Sequence, residues 1–404
     1  MKHIHVNIKT IVLFSSLIFS SCQAPAAEEL PQLAVEEIQV GAARTELYYP
    51  FLQGKSIAMM VNPTSMVEDQ HLVDQLMGAG FQIKKIFAPE HGFRGTADAG
   101  EKISDGKDPA TGIPINSLYG KKRKPSAEDL AGIDVVIFDI QDVGARFYTF
   151  ISSMHYLMEA CAEHDVDFLI LDRPNPNGHY VDGPVLDTTL RSFVGMHPVP
   201  VVHGMTIGEY AQMINGEGWL PGGAKVNLKV IPCSNYTHQS TYLLPVKPSP
   251  NLPNNRAIYL YPSICYFEGT QFNLGRGTDQ QFQVIGAPAP MQSEFSYTPE
   301  SKPGAKYPKH EGKVCYGLDL SQLSLADLKA ESRLNLSHLI NLYQAYPDKD
   351  QFFLASNFFD KLAGNYNLRE QLKTGKSESE IRQSWEPALA NYKTMRKKYL
   401  LYEE

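Results

Sequence analysis

Short apolar runs alternate with helical stretches along the first two-thirds of the chain. Strands and helices that alternate in this way are typical of an α/β domain built on a parallel sheet. Residues 135–139 are almost continuously apolar, as expected for a strand whose two faces are both covered. The other strands predicted here are 56–61, 83–87, 168–171 and 199–202. The predicted helices are 70–77, 155–164 and one that is capped by Thr206 and runs through 209–214.

The remainder of the chain has a different pattern of apolar and polar residues. Residues 245–253 are rich in proline and mark the passage to a second, smaller unit with both strands and helices. Two domains are therefore predicted, an α/β domain over 44–244 and an auxiliary α+β domain over 245–404. Within the second domain the pattern predicts strands at 258–261 and 282–285, turns over 292–313, and helices within 325–346 and 378–401.

The N-terminus has the features of an export signal. Basic residues flank an apolar run over 11–19, which is too short to span a bilayer permanently but fits the core of a secretory signal. Small residues then precede Cys22, which resembles a bacterial lipobox, in which the cysteine is lipidated and becomes the mature N-terminus. Residues 1–22 are predicted to be a lipoprotein signal peptide and residues 23–43 a tether. A plain cleaved signal is the alternative, because Phe19 stands where leucine is more usual.

This N-terminus predicts an exported protein, a periplasmic or cell-envelope lipoprotein that touches the membrane only through its anchor. Nucleic acid is not an expected partner, because a nucleic-acid binder needs a basic surface to displace phosphate counterions and the formal net charge is −7. No obligate protein partner is expected. The cysteines beyond the anchor are widely spaced and form no CxxC pair, which favours buried free thiols over disulfides or a zinc site. They are Cys161, Cys233, Cys265 and Cys315.

Several signature motifs are absent from the sequence. It contains no G-x-S-x-G nucleophile elbow, no Walker motif, no G-x-G-x-x-G after the first strand and no H-E-x-x-H. The sequence therefore gives no support to a serine hydrolase, a nucleotide-binding protein or a zinc protease. We expect no metal and no organic cofactor.

Polar or turn-forming clusters follow each of the predicted strands of the first domain. Ligands of open parallel sheets bind outside the carboxyl ends of the strands, so these clusters should converge. Carboxylates, arginines and amides that converge there predict a sugar-cleaving cleft, whereas ordinary polar turns account poorly for five clusters in register. The clusters are 62–64, 88–95, 139–148, 172–178 and 203–204.

Glu90 is the candidate catalytic acid. It leaves a predicted buried strand on a Pro-Glu-His-Gly turn, in which proline and glycine can fix its direction. Glycoside cleavage needs a carboxylic acid aimed at the leaving oxygen. A helix cap or an ion pair with Arg94 is the alternative. His91 is expected to give hydrogen-bonding support rather than to act as a second catalyst.

Residues 266–279 of the second domain are dense in aromatic, charged and glycine residues. Aromatic faces can stack on sugar rings, and Arg276 can pair with an anionic substituent. Glu268 is the predicted second carboxylate, with Asp142 and Asp279 as rivals because sequence gives no distance between carboxylates. Asp172 and Arg173 have a structural ion pair as their alternative. The predicted substrate-binding residues are His91, Arg94, Asp142, Arg146, Tyr148, Asp172, Arg173, Asn175, His203, Asn273, Arg276 and Thr278.

Several multi-residue motifs, in the same order along the chain, closely resemble the NamZ-type exo-β-N-acetylmuramidases. The resemblance runs from about residue 44 to the C-terminus. The motifs are Pro-Glu-His-Gly-Phe-Arg-Gly at 89–95, Gln-Asp-Val-Gly-Ala-Arg-Phe-Tyr-Thr at 141–149, Asp-Arg-Pro-Asn-Pro at 172–176, Asp-Gly-Pro at 182–184, Phe-Glu-Gly-Thr at 267–270 and Gly-Arg-Gly-Thr at 275–278.

The resemblance implies a Rossmann-like domain, a smaller auxiliary domain and an active cleft between them. It also implies release of non-reducing terminal β-linked N-acetylmuramic acid (MurNAc) from peptidoglycan-derived saccharides such as MurNAc-GlcNAc. The family's proposed catalytic glutamate falls on Glu90, and its second motif glutamate on Glu268.

Within that hypothesis, one of three arginines recognises the lactyl carboxylate that distinguishes muramic acid from glucosamine. The candidates are Arg276, Arg146 and Arg94. Two alternatives stay open, a hydrolase for another amino sugar or an ester, and a non-catalytic cell-wall sugar-binding lipoprotein.

Overall fold

A computed structural model describes residues 1, 37–90, 92–93 and 105–404. The predictions for Cys22, His91 and Arg94 lie outside the described residues, as do residues 2–22 of the signal peptide and residues 23–36 of the tether. The last residues of the predicted tether are part of the folded unit: Gln39 pairs with Ser234, and Gly41–Ala43 form a 3₁₀ turn. Among the described residues, no helix combines the length and the apolar character needed to cross a membrane.

The largest sheet has seven strands within the part of the chain that the structure describes. Its order is β5-β6-β4-β1-β7-β8-β9, and every neighbouring pair is parallel except β5 and β6. The strands are β1 (Ser56–Val61), β4 (Gln82–Ala88), β5 (Gly106–Lys107), β6 (Pro114–Ser117), β7 (Val135–Asp139), β8 (Asp167–Leu171) and β9 (Leu228–Ile231). A separate antiparallel ribbon pairs β2 (Met66–Val67) with β3 (Gln70–His71). The predicted parallel α/β sheet is confirmed.

Both faces of this sheet are covered, which explains its continuous apolar strands. Successive side chains of a strand point to opposite faces, and Met59 and Met60 of β1 accordingly enter two different cores. The core of one face includes residues of α1 (Thr45–Leu52) and α2 (Leu72–Gly78), and that of the other includes residues of α4 (Phe150–Glu163) and α5 (Ile207–Gly216). A short α3 (Ala127–Leu130) precedes β7.

The second region contains a three-stranded antiparallel sheet and a series of helices. The sheet order is β10-β12-β11, formed by β10 (Val284–Ala287), β11 (Ser296–Tyr297) and β12 (Cys315–Asp319). The helices are α6 (Asn255–Ile264), α7 (Leu325–Ala330), α8 (Ser337–Ala345), α9 (Phe358–Ala363), α10 (Asn367–Lys373) and α11 (Glu378–Arg396). Its last helix, α11, returns to the first region.

Side chains of α11 attach it to loops of the first region. Arg382 forms an ion pair with Asp182 at 2.7 Å. The Tyr392 hydroxyl donates to the carbonyl of His203 at 2.7 Å, and Arg396 donates to the carbonyl of Gly204. Residues Ile38–Glu404 accordingly pack as one compact unit, and the boundary between 244 and 245 stays a prediction.

The predicted N-cap of one helix, Thr206 at the start of α5, is confirmed. The Thr206 hydroxyl accepts from the backbone of Glu209, and the Glu209 carboxylate accepts from the backbone of Thr206, which forms the capping box at the start of α5. The cysteine prediction is confirmed as well, because Cys161, Cys233, Cys265 and Cys315 are buried free thiols.

Two strand predictions are wrong. Residues 199–202 form no strand, and Val202 makes only isolated bridges, to Ala145 and Asp182. Pro200 has no backbone N–H to donate to a neighbouring strand. The strand that pairs with β8 at this edge of the sheet is β9 instead. Residues 258–261 lie in α6, whose first turn is capped by the Asn254 side chain. A short apolar run does not distinguish a buried strand from a buried helix.

Several other predicted bounds shift. The second region's first strand begins at Val284 rather than at residue 282. The helical periodicity of residues 325–346 corresponds to two helices, α7 and α8. The last helix ends at Arg396 and continues as a 3₁₀ turn over Lys397–Tyr399.

Candidate active site

A cleft of about 490 Å³ opens next to the carboxyl end of β4. Its walls come from both regions of the chain, which places it where the resemblance implied. Aromatic and apolar side chains supply much of the lining, and a few polar groups converge on it, as is usual for small-molecule sites. The lining residues are Glu90, Phe147, Tyr148, Thr149, Phe150, Ser249, Asn251, Leu252, Tyr261, Arg276 and Phe282.

Glu90 enters the cleft two residues after β4, and both of its carboxylate oxygens are held. The Tyr119 hydroxyl donates to Oε1 at 2.9 Å, and the Thr149 hydroxyl donates to Oε2 at 3.2 Å. Burial and the adjacent Glu90 carboxylate raise the pKa of Tyr119 above its ordinary value, so this hydroxyl keeps its proton. A hydroxyl can donate to a carboxylate or accept from a carboxylic acid, so the same pair fits Glu90 before and after proton transfer.

The two supporting hydroxyl groups reach Glu90 from different elements. Tyr119 follows β6, the parallel neighbour of β4, and Thr149 immediately precedes α4. Thr149 lies within the motif at 141–149. The strand before Tyr119 escaped prediction because Pro114 begins it and its side chains are mostly half-buried or exposed.

Arg276 forms another part of the cleft wall and is paired with Glu268. The Arg276 Nε donates to the Glu268 Oε1 at 2.8 Å, and its guanidinium lies 5.2 Å from the centre of the Phe282 ring. Burial alone would raise the pKa of Glu268, but Arg276 and the nearby Lys309 outweigh it and lower this pKa below its usual value. Glu268 itself lies in the 3₁₀ turn Cys265–Gly269 that continues α6.

Backbone bracing fixes the loop that carries Arg276. The Asn273 side-chain amide donates to the carbonyls of Arg276 at 3.2 Å and Lys309 at 2.8 Å. The Thr278 hydroxyl donates to the carbonyl of Gly275 at 2.7 Å. Asn273 and Thr278, predicted as substrate-binding residues, are thus placed where they hold the loop rather than in the cleft lining.

Tyr148 lines the cleft with its ring. Its hydroxyl donates to the carbonyl of Pro248 at 2.7 Å, and its ring packs edge-to-face against Phe150 and Tyr261. This contact ties the turn before α4 to the proline-rich segment of the second region.

Arg146 lies away from the cleft and is completely buried. Its guanidinium donates to the carbonyls of Pro184, Val199 and Leu362, at distances between 2.7 and 2.9 Å. Burial lowers the pKa of Arg146 to about 10. The structure therefore gives this arginine a bracing position between the two regions.

Asp142 and His203 form a second buried group outside the cleft lining. The Asp142 Oδ2 accepts from the backbone of Gly144 at 2.7 Å and lies 3.6 Å from the His203 Nε2. Asp279, the other rival carboxylate, is highly exposed and pairs with Lys302 at 2.7 Å. Neither rival lines the cleft.

The remaining predicted residues, Asp172, Arg173 and Asn175, are buried at the carboxyl end of β8. Arg173 pairs with Asp139, at 2.5 and 2.9 Å, rather than with Asp172. Burial raises the pKa of Asp172 to about 6, although donors that include Tyr402 and Thr206 oppose this shift. The Asn175 side-chain amide donates to the carbonyl of Met205 at 2.9 Å.

Asn251 is a cleft residue that the sequence did not single out. Its Nδ2 donates to the carbonyl of Gly304 at 2.9 Å, which fixes the orientation of the amide because a carbonyl accepts only from the NH₂ side. The Oδ1 of this buried side chain has no hydrogen-bond partner within the described structure. Ser249, Leu252 and Tyr261 complete that wall.

Two family models together match most of this chain, including the described cleft residues. The N-terminal domain of the exo-beta-N-acetylmuramidase NamZ matches residues 57–256, and the C-terminal domain matches residues 259–402. This chain belongs to the NamZ family.

Comparisons with individual proteins agree with membership of the NamZ family. The chain is 38% identical over 373 residues to the peptidoglycan beta-N-acetylmuramidase NamZ of Bacillus subtilis (strain 168), covering 88% of this chain and 89% of that protein. A crystal structure of a DUF1343 family protein from Bacteroides fragilis NCTC 9343 has a TM-score of 0.85 and 48% identity, covering 91% of this chain and all of the other. A second protein of that family and strain has a TM-score of 0.73 and 29% identity, covering 91% and 99%.

We expect Glu268 to contribute to the loss of folding stability of this protein at acidic pH. Because its folded-state pKa lies below the ordinary value of 4.5, its stabilising contribution is complete above that value and is lost as the pH falls through the folded-state pKa. The free energy of unfolding of Glu268→Gln, measured with urea from about pH 6 downward, should therefore fall less than that of the wild type. The exposed Glu128→Gln is the control and should follow the wild type; equal pH dependence of Glu268→Gln and wild type would contradict the assignment.

Proposed function

We propose that this NamZ family member is an exo-acting glycoside hydrolase. It releases non-reducing terminal β-linked MurNAc from peptidoglycan fragments such as MurNAc-GlcNAc. The observation that carries the proposal is a carboxyl group, Glu90, held at both oxygens within a cleft that Arg276 also lines. Family membership and the name of the Bacillus subtilis relative support the same reaction.

Glu90 acts as the general acid and base in the proposed mechanism. It gives its proton to the glycosidic oxygen as the bond to the MurNAc anomeric carbon breaks, and it then accepts a proton from the water that completes hydrolysis. Tyr119 and Thr149 position the carboxyl group by donating to its two oxygens, which leaves the acid proton of Glu90 for the glycosidic oxygen.

Glu268 stabilises the positive charge that develops on the sugar ring in the oxocarbenium-like transition state. Its pairing with Arg276 and the proximity of Lys309 lower its pKa and keep it ionised at neutral pH, which this role requires. Neither Glu268 nor Asp142 lines the cleft, but Glu268 contacts the lining residue Arg276, whereas Asp142 is buried beside His203.

Arg276 recognises the lactyl carboxylate of MurNAc. Of the three predicted arginines, Arg94 lies outside the described residues and Arg146 is occupied by backbone carbonyls, whereas Arg276 lines the cleft. A guanidinium carries five N–H donors, so the bond from Nε to Glu268 leaves donors for a second carboxylate.

The Glu90→Gln substitution should reduce hydrolysis by roughly 10²–10⁴-fold, the usual contribution of general acid–base catalysis. The purified chain from Gln23 onward is incubated with MurNAc-β-1,4-GlcNAc, and free MurNAc is measured. Circular dichroism establishes that the variant is folded, and Glu128→Gln, an exposed glutamate of α3, should retain the wild-type rate.

Other outcomes of this experiment separate the alternatives. If the folded wild type binds the disaccharide without releasing MurNAc, the protein is a sugar-binding lipoprotein. If it neither binds nor cleaves the disaccharide, its substrate is a different glycan or an ester, and a panel of chromogenic glycosides and esters identifies it.

The Arg276→Gln substitution should reduce discrimination between MurNAc and glucosamine substrates. A hydrogen bond to a charged group contributes about 1.5–3 kcal/mol, so the preference for MurNAc-GlcNAc over the β-linked GlcNAc disaccharide should fall by roughly tenfold or more. The ratio of kcat/KM for the two disaccharides measures this preference. Arg256→Gln, an arginine outside the cleft lining, should leave the ratio unchanged; an unchanged ratio in Arg276→Gln would remove the assignment.

We also propose that the protein works in the cell envelope as a lipoprotein anchored through Cys22. The apolar run and the small residues before this cysteine support the proposal, because they form a lipobox-like signal. Peptidoglycan fragments are present in that compartment, so substrate and enzyme would meet there.

The Cys22→Ser substitution tests the anchor. When the full chain is expressed in a bacterium fed labelled palmitate, wild-type protein should be labelled and found in the membrane fraction, whereas the variant should be unlabelled. Cys161→Ser, which changes a buried free thiol, should remain labelled. Unlabelled wild-type protein in the soluble envelope fraction would favour the plain cleaved signal.

A further inference from the structure

Lys309 lies in the segment between β11 and β12, and its ammonium group is held against the loop that carries Glu268 and Arg276. The ammonium donates to the backbone carbonyls of Thr270 at 2.7 Å, Phe272 at 3.0 Å and Glu268 at 3.4 Å. The charged side chain of a lysine has three N–H donors, so three acceptors suit the protonated form of Lys309. A positive charge is therefore placed directly on this loop.

The main chain of Lys309 is fixed as well. Its carbonyl accepts from the Asn273 side-chain amide at 2.8 Å, and the same amide donates to the carbonyl of Arg276 at 3.2 Å. The preceding Pro308 ring packs on Gly277, where an added Cβ would approach the Pro308 Cγ to 2.7 Å. Lys309 and the Arg276 loop are thus joined through side chain and main chain, which fixes the ammonium relative to Arg276.

The charge of Lys309 acts on the Arg276–Glu268 pair. Burial lowers the pKa of Lys309, the Glu268 carboxylate opposes this shift, and the Arg276 guanidinium adds to it. In turn, Arg276 and, to a smaller extent, Lys309 lower the pKa of Glu268 against the effect of its burial. The three side chains therefore interact as one charged group, although Lys309 itself is not among the described residues that line the cleft.

The charges of this group do not cancel. Arg276 and Glu268 form a pair of opposite charges, whereas the hydrogen bonds of Lys309 go to backbone carbonyls, so one positive charge is left in excess. A neutral donor could hold the same carbonyls without the cost of removing a charge from water. The lactyl carboxylate of MurNAc, which Arg276 binds under the proposed function, would balance the excess charge.

We propose that Lys309 is a positioning residue for substrate recognition, which holds the Arg276 loop and gives the Arg276–Glu268 pair the excess positive charge that attracts an anionic sugar. This assignment rests on the proposed function, in which Arg276 binds the lactyl carboxylate. The substrate class that Lys309 selects is a β-linked hexosamine with a carboxylate substituent. Its selectivity then depends on a residue outside the cleft lining.

A neutral analogue of the substrate separates the charge of Lys309 from its effect on the loop. In this analogue a carboxamide replaces the lactyl carboxylate of MurNAc-GlcNAc, so the shape is kept and the charge is lost. The ratio of kcat/KM for the acid to kcat/KM for the amide measures the selectivity. Lys309→Gln, which removes the charge and keeps an amide donor, should lower this ratio by roughly twofold to fivefold, the effect of a solvent-screened charge pair.

Three further variants complete the test. Lys309→Met also removes the charge and should lower the ratio equally, which gives the same comparison if Lys309→Gln does not fold. Lys309→Arg keeps the charge and should keep the selectivity. Lys302→Gln, which changes a lysine of the same segment that pairs with the exposed Asp279, should leave the ratio at the wild-type value. Circular dichroism establishes that each variant is folded.

The remaining outcomes overturn the proposal in distinguishable ways. A wild-type ratio in folded Lys309→Gln and Lys309→Met would leave Lys309 with the loop contacts alone, while the proposed function would stand. A ratio that falls as far in Lys309→Arg as in Lys309→Gln would show that the charge is not the cause. If the wild type releases no MurNAc from the disaccharide, the proposed function has failed and the role of Lys309 falls with it.

Discussion

Arg173 and Asp139 face each other in the buried carboxyl edge of the parallel sheet, with N–O distances of 2.5 and 2.9 Å. Removing one partner of such a pair leaves an uncompensated buried charge, at a cost of about 3–5 kcal/mol. The neighbouring Asp172 is likewise buried and accepts from Thr206 and Tyr402. Polar groups that are this deeply buried must be hydrogen-bonded, and meeting that requirement fixes the loops that leave the sheet.

The same requirement divides the polar residues into two sets. Residues near the strand ends, such as Asp172 and Asn175, make hydrogen bonds to neighbouring loops. Arg146 donates to backbone carbonyls. Those that reach the cleft lie beyond this network, above all Glu90 and Arg276. A general acid needs a fixed direction and free access to the substrate at once. Glu90 meets both needs, because Tyr119 and Thr149 hold its two oxygens while it lines the cleft.

The sequence predicted the inner strands and the main residues of the cleft. It did not predict which polar residues are buried in the fold and which reach the cleft. The runs that became β1, β4, β7 and β8 were recognisable because strands covered on both faces are continuously apolar. Arg146 and Arg276 could not be separated, since both sit in glycine-containing motifs and only the fold buries one of them completely. Tyr119 was missed because its strand, β6, has little apolar character. Asn251 had no local signal, because its role arises from contact with Gly304.

Under the proposed function, the Arg276–Glu268 pair would let the cleft accept an anionic substrate without binding it too tightly. An unpaired guanidinium would attract the lactyl carboxylate equally in the ground state and the transition state, and such uniform binding does not accelerate the chemical step. Glu268 offsets part of that charge, and its lowered pKa keeps it ionised. Positive charge develops on the sugar ring only as the bond breaks, so Glu268 attracts the transition state more strongly than the ground state. In the proposed mechanism, one ion pair thus combines recognition through its cation with catalysis through its anion.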